Sequence, residues 1–148
     1  MFKTYPRFAF RENRIILSEE ELKLRVKEAV SLNKSCEISV YAFSKWKNSK
    51  LDISSVIIDL VMVKGKKEDL EKVGDYYLQE GVKSILYFDG KDYYLFLDIY
   101  LKSLDDLESF QVPFKKVKVI KNPLKKIVLP GKINFKTGKK SKVLKVWK

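Results

Sequence analysis

Asp59 stands inside the apolar run Val56-Ile-Ile-Asp-Leu-Val-Met-Val63. A carboxylate in such a setting costs free energy unless it is paired or hydrogen-bonded. It is therefore either a strand-end Asp held by a lysine or a backbone amide, or a remnant metal ligand. Asp89, Asp92 and Asp98 are its candidate co-ligands, and convergence of Asp59, Asp89 and Asp98 would make a magnesium site. Composition closes off other chemistry. None of the 148 residues is histidine, which removes Ser-His triads, Cys-His nucleophiles and His-ligated metals. The one cysteine, Cys36, excludes an internal disulfide and multi-thiolate centres, and reads as a small buried hydrophobe in a reducing compartment. Gly90-Lys91, Gly131-Lys132 and Gly138-Lys139 lack the spacing of a phosphate-cradling Gly-rich loop and read as turns. No cofactor is expected.

Lysine is the other chemical resource. The net charge is +12, yet 13 lysines and no acid follow Gln111. Of 31 basic groups, 18 therefore remain to face 19 acids in residues 1–111, so the excess lies wholly in the C-terminal quarter, 112–148. Ile127, Val128, Ile133, Phe135, Val143 and Trp147 are interleaved with these lysines, a pattern that folds onto a core and presents charge from a fixed surface. A field of that kind favours a polyanion, and DNA or RNA is the commonest one in cells. The alternative is an inert solubilising surface, or the lysine bias of thermophile proteins, which the scarcity of glutamine also suggests. Among the aromatics, Tyr94 and Phe96 share one strand face, and read either as base-stacking side chains on an open sheet or as core. Trp46 and Trp147 read as partner contacts or as covers of a core edge.

These residues need elements to position them. Ser18-Glu-Glu-Glu21 is a capping box, and Leu22, Val26, Ala29 and Val30 predict a helix over Glu19 to Leu32. Glu37 to Phe43 reads as a strand, Ser44 to Asp52 as a hairpin-like connection, and Val56 to Val63 as a central strand covered on both faces. Lys67 to Glu80 predicts a helix stopped by Gly81. Ser84 to Phe88 and Tyr93 to Ile99 read as strands joined by the turn Asp89-Gly-Lys-Asp92. Ser103 caps a short helix ending near Gln111, and Lys115 to Ile120 and Val143 to Trp147 read as strands flanking a loop over Asn122 to Gly138. The order predicts one α+β domain spanning 1–148, a mixed or antiparallel sheet with helices packed on it. No apolar run approaches the roughly 20 residues of a membrane helix. Met1 to Arg7 lacks the apolar core of a signal peptide, so a soluble, cytoplasmic protein without a membrane partner is expected.

Several of these pieces, in order, resemble the archaeo-eukaryotic primase superfamily. They are Glu37-Ile-Ser-Val-Tyr-Ala-Phe43, Val56-Ile-Ile-Asp-Leu-Val61, the hairpin from Ile85 to Leu97, and Leu129-Pro-Gly-Lys-Ile-Asn-Phe-Lys-Thr-Gly138. The last is similar to that superfamily's Arg-x-Pro-Gly-Thr-x-Asn-x-Lys loop. The resemblance spans Cys36 to Trp147 and implies an RRM-like primase core. Members perform two-metal phosphoryl transfer with clustered carboxylates. Here Asp59 matches the first carboxylate, but Val61 stands for the second, Tyr94 for the hairpin histidine and Val128 for the loop arginine. The resemblance therefore implies a catalytically degenerate, archaeal-type primase small-subunit-like domain. Its expected role is to bind DNA or RNA as an accessory to replication or repair, beside a primase or polymerase subunit. The expected nucleic-acid contacts are Lys132, Asn134, Lys136, Lys139 and Lys140 on the Pro-Gly loop, with Tyr94 stacking a base. No catalytic residue or metal ligand is expected, Asp59 being at most a remnant. The alternatives are a divergent metal-dependent nucleotidyltransferase using Asp59 with hairpin acids or a partner subunit, and a protein-interaction module.

Overall fold

A computed structural model describes residues 7–9, 37–43, 46–47, 50–128 and 130–148. The helix expected over Glu19 to Leu32, and Cys36, lie outside the described residues. The strands are β1 (Arg7–Ala9), β2 (Glu37–Ser39), β3 (Ala42–Phe43), β4 (Trp46–Lys47), β5 (Lys50–Leu51), β6 (Val56–Ile57), β7 (Val61–Gly65), β8 (Ser84–Phe88), β9 (Tyr93–Leu97), β10 (Lys118–Val119), β11 (Lys126–Val128) and β12 (Lys142–Trp147). Two α-helices are described, α1 (Lys67–Gln79) and α2 (Leu104–Ser109).

The architecture is α+β, built on a five-stranded antiparallel sheet in the order β10-β7-β9-β8-β12. Strand β9 pairs antiparallel with both β7 and β8, so those two run parallel, joined by α1 with β9 inserted between them. This is a split β-α-β unit. Each element has a local cause. Leu70, Val73 and Tyr77 recur at helical spacing on the buried side of α1. Ser103 accepts a hydrogen bond from the Asp106 amide at 3.2 Å and starts α2, with Asp105 and Asp106 favourably placed in its first turn.

Residues directly opposite in register share a sheet face. Val61, Val63, Leu95, Leu97, Leu86 and Trp147 therefore form the face against α1, and all are essentially sealed from solvent. Gly74 lets α1 approach: a Cβ there would lie 2.5–2.9 Å from three atoms of the Trp147 ring. The indole Nε1 donates to Asp75 Oδ1 at 2.8 Å, which fixes the ring.

The other face carries Met62, Phe96, Tyr94, Ile85 and Tyr87, and it is also covered. Strand β11 lies there in a second sheet, β1-β2-β11. The Tyr87 hydroxyl donates to the Val128 carbonyl, and Lys125 Nζ sits 5.3 Å from the centre of the Tyr94 ring. Val40, Tyr41 and Ile127 belong to the same core. Burial raises the pKa of the Tyr41 and Tyr94 hydroxyls well above the usual tyrosine value, with nearby Asp89 and Asp92 adding to the rise at Tyr94.

Several expectations are corrected. The run Val56 to Val63 is not one strand: β6 pairs with β3, the chain breaks at Asp59 and Leu60, and β7 enters the large sheet. Glu37 to Phe43 likewise breaks at Val40 and Tyr41. The segment Asn122 to Gly138, expected as loop, contains β11 and the first arm of a hairpin. The expected hairpin between Ser44 and Asp52 is present as β4 paired with β5.

Gly74→Ala gains about 1 kcal/mol of helix propensity but overpacks against a fixed ring, which costs roughly 1–3 kcal/mol. Denaturant titration is expected to show net destabilisation in the native background and stabilisation once Trp147→Ala has removed the ring. For pH, unfolded tyrosines ionise near about 10 while the buried ones stay neutral, so their contribution is complete below that pH and is lost above it. Unfolding free energy should fall above about pH 10, and less steeply in Tyr94→Phe.

Candidate functional site

The hairpin over Pro130 to Ser141 is built from local polar chemistry. Gly131 N donates to Ser141 O at 3.0 Å and Ser141 N to Lys132 O at 2.8 Å, and Ile133 bridges Lys140. Asn134 N donates to Lys139 O at 2.9 Å, closing the arms. The tip is one helical turn: Gly138 N donates to Asn134 O at 2.8 Å, and Gly138 leaves the turn at φ 71°, in the left-handed region glycine allows. The Asn134 side chain accepts from Lys136 N at 2.9 Å and the Thr137 hydroxyl from Lys139 N at 3.2 Å, so the tip is braced from within.

The same two side chains dock the hairpin on the β8–β9 turn. Asn134 Nδ2 donates to Asp89 O at 3.0 Å, and Thr137 Oγ1 donates to Gly90 O at 2.8 Å. The surfaces are close enough to exclude a side chain at Gly90, whose Cβ would lie 2.6 Å from Asn134 Cβ and 2.8 Å from Lys139 O. The turn is itself held by the Asp89 carboxylate, which accepts from the Lys91 and Asp92 amides at 2.8 and 2.7 Å.

The expected contact residues now have distinct places. Asn134 is buried, with both ends of its amide engaged, so it is a brace within the protein. Lys132 is half-buried with its backbone in the hairpin ladder, while Lys136, Lys139 and Lys140 are exposed. Tyr94 is 1% exposed, beneath Lys125 and the second sheet. The open aromatic face expected of the sheet is thus a covered one, and Tyr94 and Phe96 are core side chains. Conversely Phe135 and Ile133, read from the sequence as core-directed, are 69% and 45% exposed. The available signal was position: Phe135 follows the asparagine of an Asn-x-x-Thr-Gly turn, where the side chain points off the tip. Trp147 is core, and the Trp46 side chain lies outside the described residues.

Sequence reasoning also missed lysines that come from other segments. Lys64 at the end of β7, Lys66 and Lys67 at the start of α1, Lys91 in the turn and Lys116 before β10 line an open groove with Gly65, Glu68, Asp92 and Tyr93. Gly65 pairs with Tyr93 and Lys64 with Lys118, so the groove lies at the same end of the sheet as the β8–β9 turn and its docked hairpin. Of the acids there, Asp92 pairs with Lys64 at 3.5 Å, Asp89 holds the turn, and Glu68 lines the groove as an exposed side chain. Five lysines against Glu68 and Asp92 leave the groove with a net positive field.

The carboxylates do not gather. Asp59 precedes Val61 and Asp98 follows Leu97, its register partner, whereas Asp89 and Asp92 lie beyond Phe88 and Tyr93 at the opposite end of the sheet. At about 3.3 Å per residue, β9 alone separates Asp92 from Asp98 by roughly 20 Å. The convergence of Asp59, Asp89 and Asp98 considered above is therefore excluded within one chain. Asp59 is half-buried, and its charge acts on the Tyr41 hydroxyl. Val61, which the sequence resemblance sets against a second carboxylate, is fully buried. Among the described residues no group of three or more His, Cys, Asp or Glu side chains is placed to hold a metal ion, and no helix is long and apolar enough to cross a membrane.

The brace gives a direct test. Asn134→Ala removes one bond to the turn and one within the tip, each worth about 1 kcal/mol net. Unfolding measurements should show a loss of about 1–3 kcal/mol, with faster amide exchange from Lys136 to Gly138, while Lys136→Ala changes neither.

No protein-family model, curated protein or solved structure matches the chain.

Proposed function

We propose that the chain is a non-catalytic nucleic-acid-binding domain whose contact surface is the basic end of the five-stranded sheet. The observation that carries this reading is the gathering of lysines from five separate segments: β7, the start of α1, the β8–β9 turn, the stretch before β10, and the hairpin. A lysine bias without function would leave them spread over the surface. Here distant parts of the chain converge on one end, where the groove's five lysines outnumber its two acids, Glu68 and Asp92, the latter paired with Lys64. Phosphate backbone is the ligand that such a field attracts, and it releases counterions on binding.

The finer statement, a primase-like accessory of replication or repair on an RRM-like core, rests on the sequence resemblance. It draws support from the order β7-α1-β8-β9-α2-β10 with neighbours β10-β7-β9-β8, the double split β-α-β arrangement of RRM-type sheets. In such sheets the aromatic platform lies on the face opposite the helices; here that face carries a second layer, and the lysines offer the sheet end instead. Among the described residues, the nucleotidyltransferase alternative gains no second carboxylate from the geometry.

Binding of a labelled oligonucleotide, followed by anisotropy across a salt series, tests the proposal. Log affinity should fall linearly with log salt, and each phosphate-contacting lysine removed should lower the slope by about 0.7 for single strands or 0.9 for duplex. Lys136→Ala, Lys139→Ala and Lys140→Ala should each flatten the slope, whereas Lys83→Ala and Lys148→Ala at the far end should not. Salt-independent binding, or none, ends the proposal.

A further inference from the structure

The hairpin tip combines two things that the lysines alone do not explain. Phe135 exposes 69% of its surface and Ile133 45%, with Lys136, Lys139 and Lys140 beside them. The tip is also preorganised, since Asn134 and Thr137 fix it both internally and to the β8–β9 turn. An aromatic ring held in water among cations is the composition of a stacking platform: every base has a π-face to set against the ring, and the neighbouring phosphates meet the lysines. In a duplex those π-faces are covered by adjacent base pairs; an unpaired strand offers them. We infer that the hairpin tip is a stacking site for an unpaired base of single-stranded DNA or RNA, with Phe135 against the base and Lys136 and Lys139 on its flanking phosphates.

This deepens the nucleic-acid reading above and rests on it. An anionic lipid surface also accepts an apolar tip ringed by lysines. The structure favours the strand, because the tip docks on the β8–β9 turn, and Lys91 of that turn lines a groove with Lys64, Lys66, Lys67 and Lys116, where lysines outnumber Glu68 and Asp92. A flexible chain can follow that groove, whereas a flat bilayer meets only protruding tips.

The experiment uses the full chain, with labelled oligo-dT and oligo-U of about 20 nucleotides, which exceeds typical single-strand site sizes, and a duplex of the same length. Phe135→Ala should weaken binding of oligo-dT, oligo-U or both by about 10- to 100-fold, with the salt slope unchanged and duplex binding held within about twofold. Phe135→Trp should retain the single-strand affinity. The arm that responds identifies DNA or RNA as the preferred strand. Because Phe135 faces solvent, its truncation should leave the thermal midpoint in place, which is recorded in parallel. Equal loss on single strand and duplex, or loss on neither, overturns the stacking site while leaving wild-type salt-dependent binding intact. A wild-type chain that binds no oligonucleotide overturns the broader reading as well. Loss confined to binding of phosphatidylserine vesicles overturns the inference in favour of a lipid surface.

Discussion

Two side-chain bonds, from Asn134 to the Asp89 carbonyl and from Thr137 to the Gly90 carbonyl, tie the C-terminal quarter to the rest of the molecule at the point where charge is concentrated. Without them the hairpin tip would lose its hold on the β8–β9 turn, and the mutual repulsion of Lys132, Lys136, Lys139 and Lys140 would act on a less fixed segment. The bonds work because the turn they grip is itself rigid. Asp89 spends its carboxylate on two amides of its own turn, and Gly90 presents bare backbone to Asn134. The placement of Phe135 and the hairpin lysines beside the groove descends from that contact.

The second determinant is the covering of both sheet faces. Trp147 and α1 close one, and β11 with Tyr41 and Val40 closes the other, so that Tyr94 and Phe96 become core. A sheet sealed on both sides leaves its edges and ends as the places where a ligand can reach. Of its two ends, the one with Gly65, Lys91 and Lys142 carries the lysine-rich groove, and Asp59 and Asp98 lie at the other, with Trp147.

What was legible in the sequence was local. Ser103 with Asp105 and Asp106 announces α2, the spacing of Leu70, Val73 and Tyr77 announces α1, and Asp89-Gly-Lys-Asp92 announces the β8–β9 turn; each signal lies within a few residues of what it specifies. The break at Asp59 and Leu60 was hidden because the apolar run is the same whether the chain continues or changes sheets; only the partners, β3 and β9, decide it. β11 was hidden between Pro123 and Pro130, which make the whole stretch read as loop. The site was half legible. Charge counting found Lys136, Lys139 and Lys140, but Lys64, Lys67 and Lys91 join them only through strand register, and the exchange of Tyr94 for Phe135 as exposed aromatic depends on which face is covered.

Strand β12 forms one border of the five-stranded sheet, and its register with β8 shifts between Val143 and Lys145. An irregular border lined by Lys142 and Lys145 offers a poor template to a strand from another molecule, since a regular ladder cannot extend along it and like charges meet. A chain in which 45% of residues are hydrophobic thus has this margin guarded against edge-to-edge growth. The irregularity that interrupts pairing is also what lets so lysine-rich a segment close the sheet without becoming a seed for fibres.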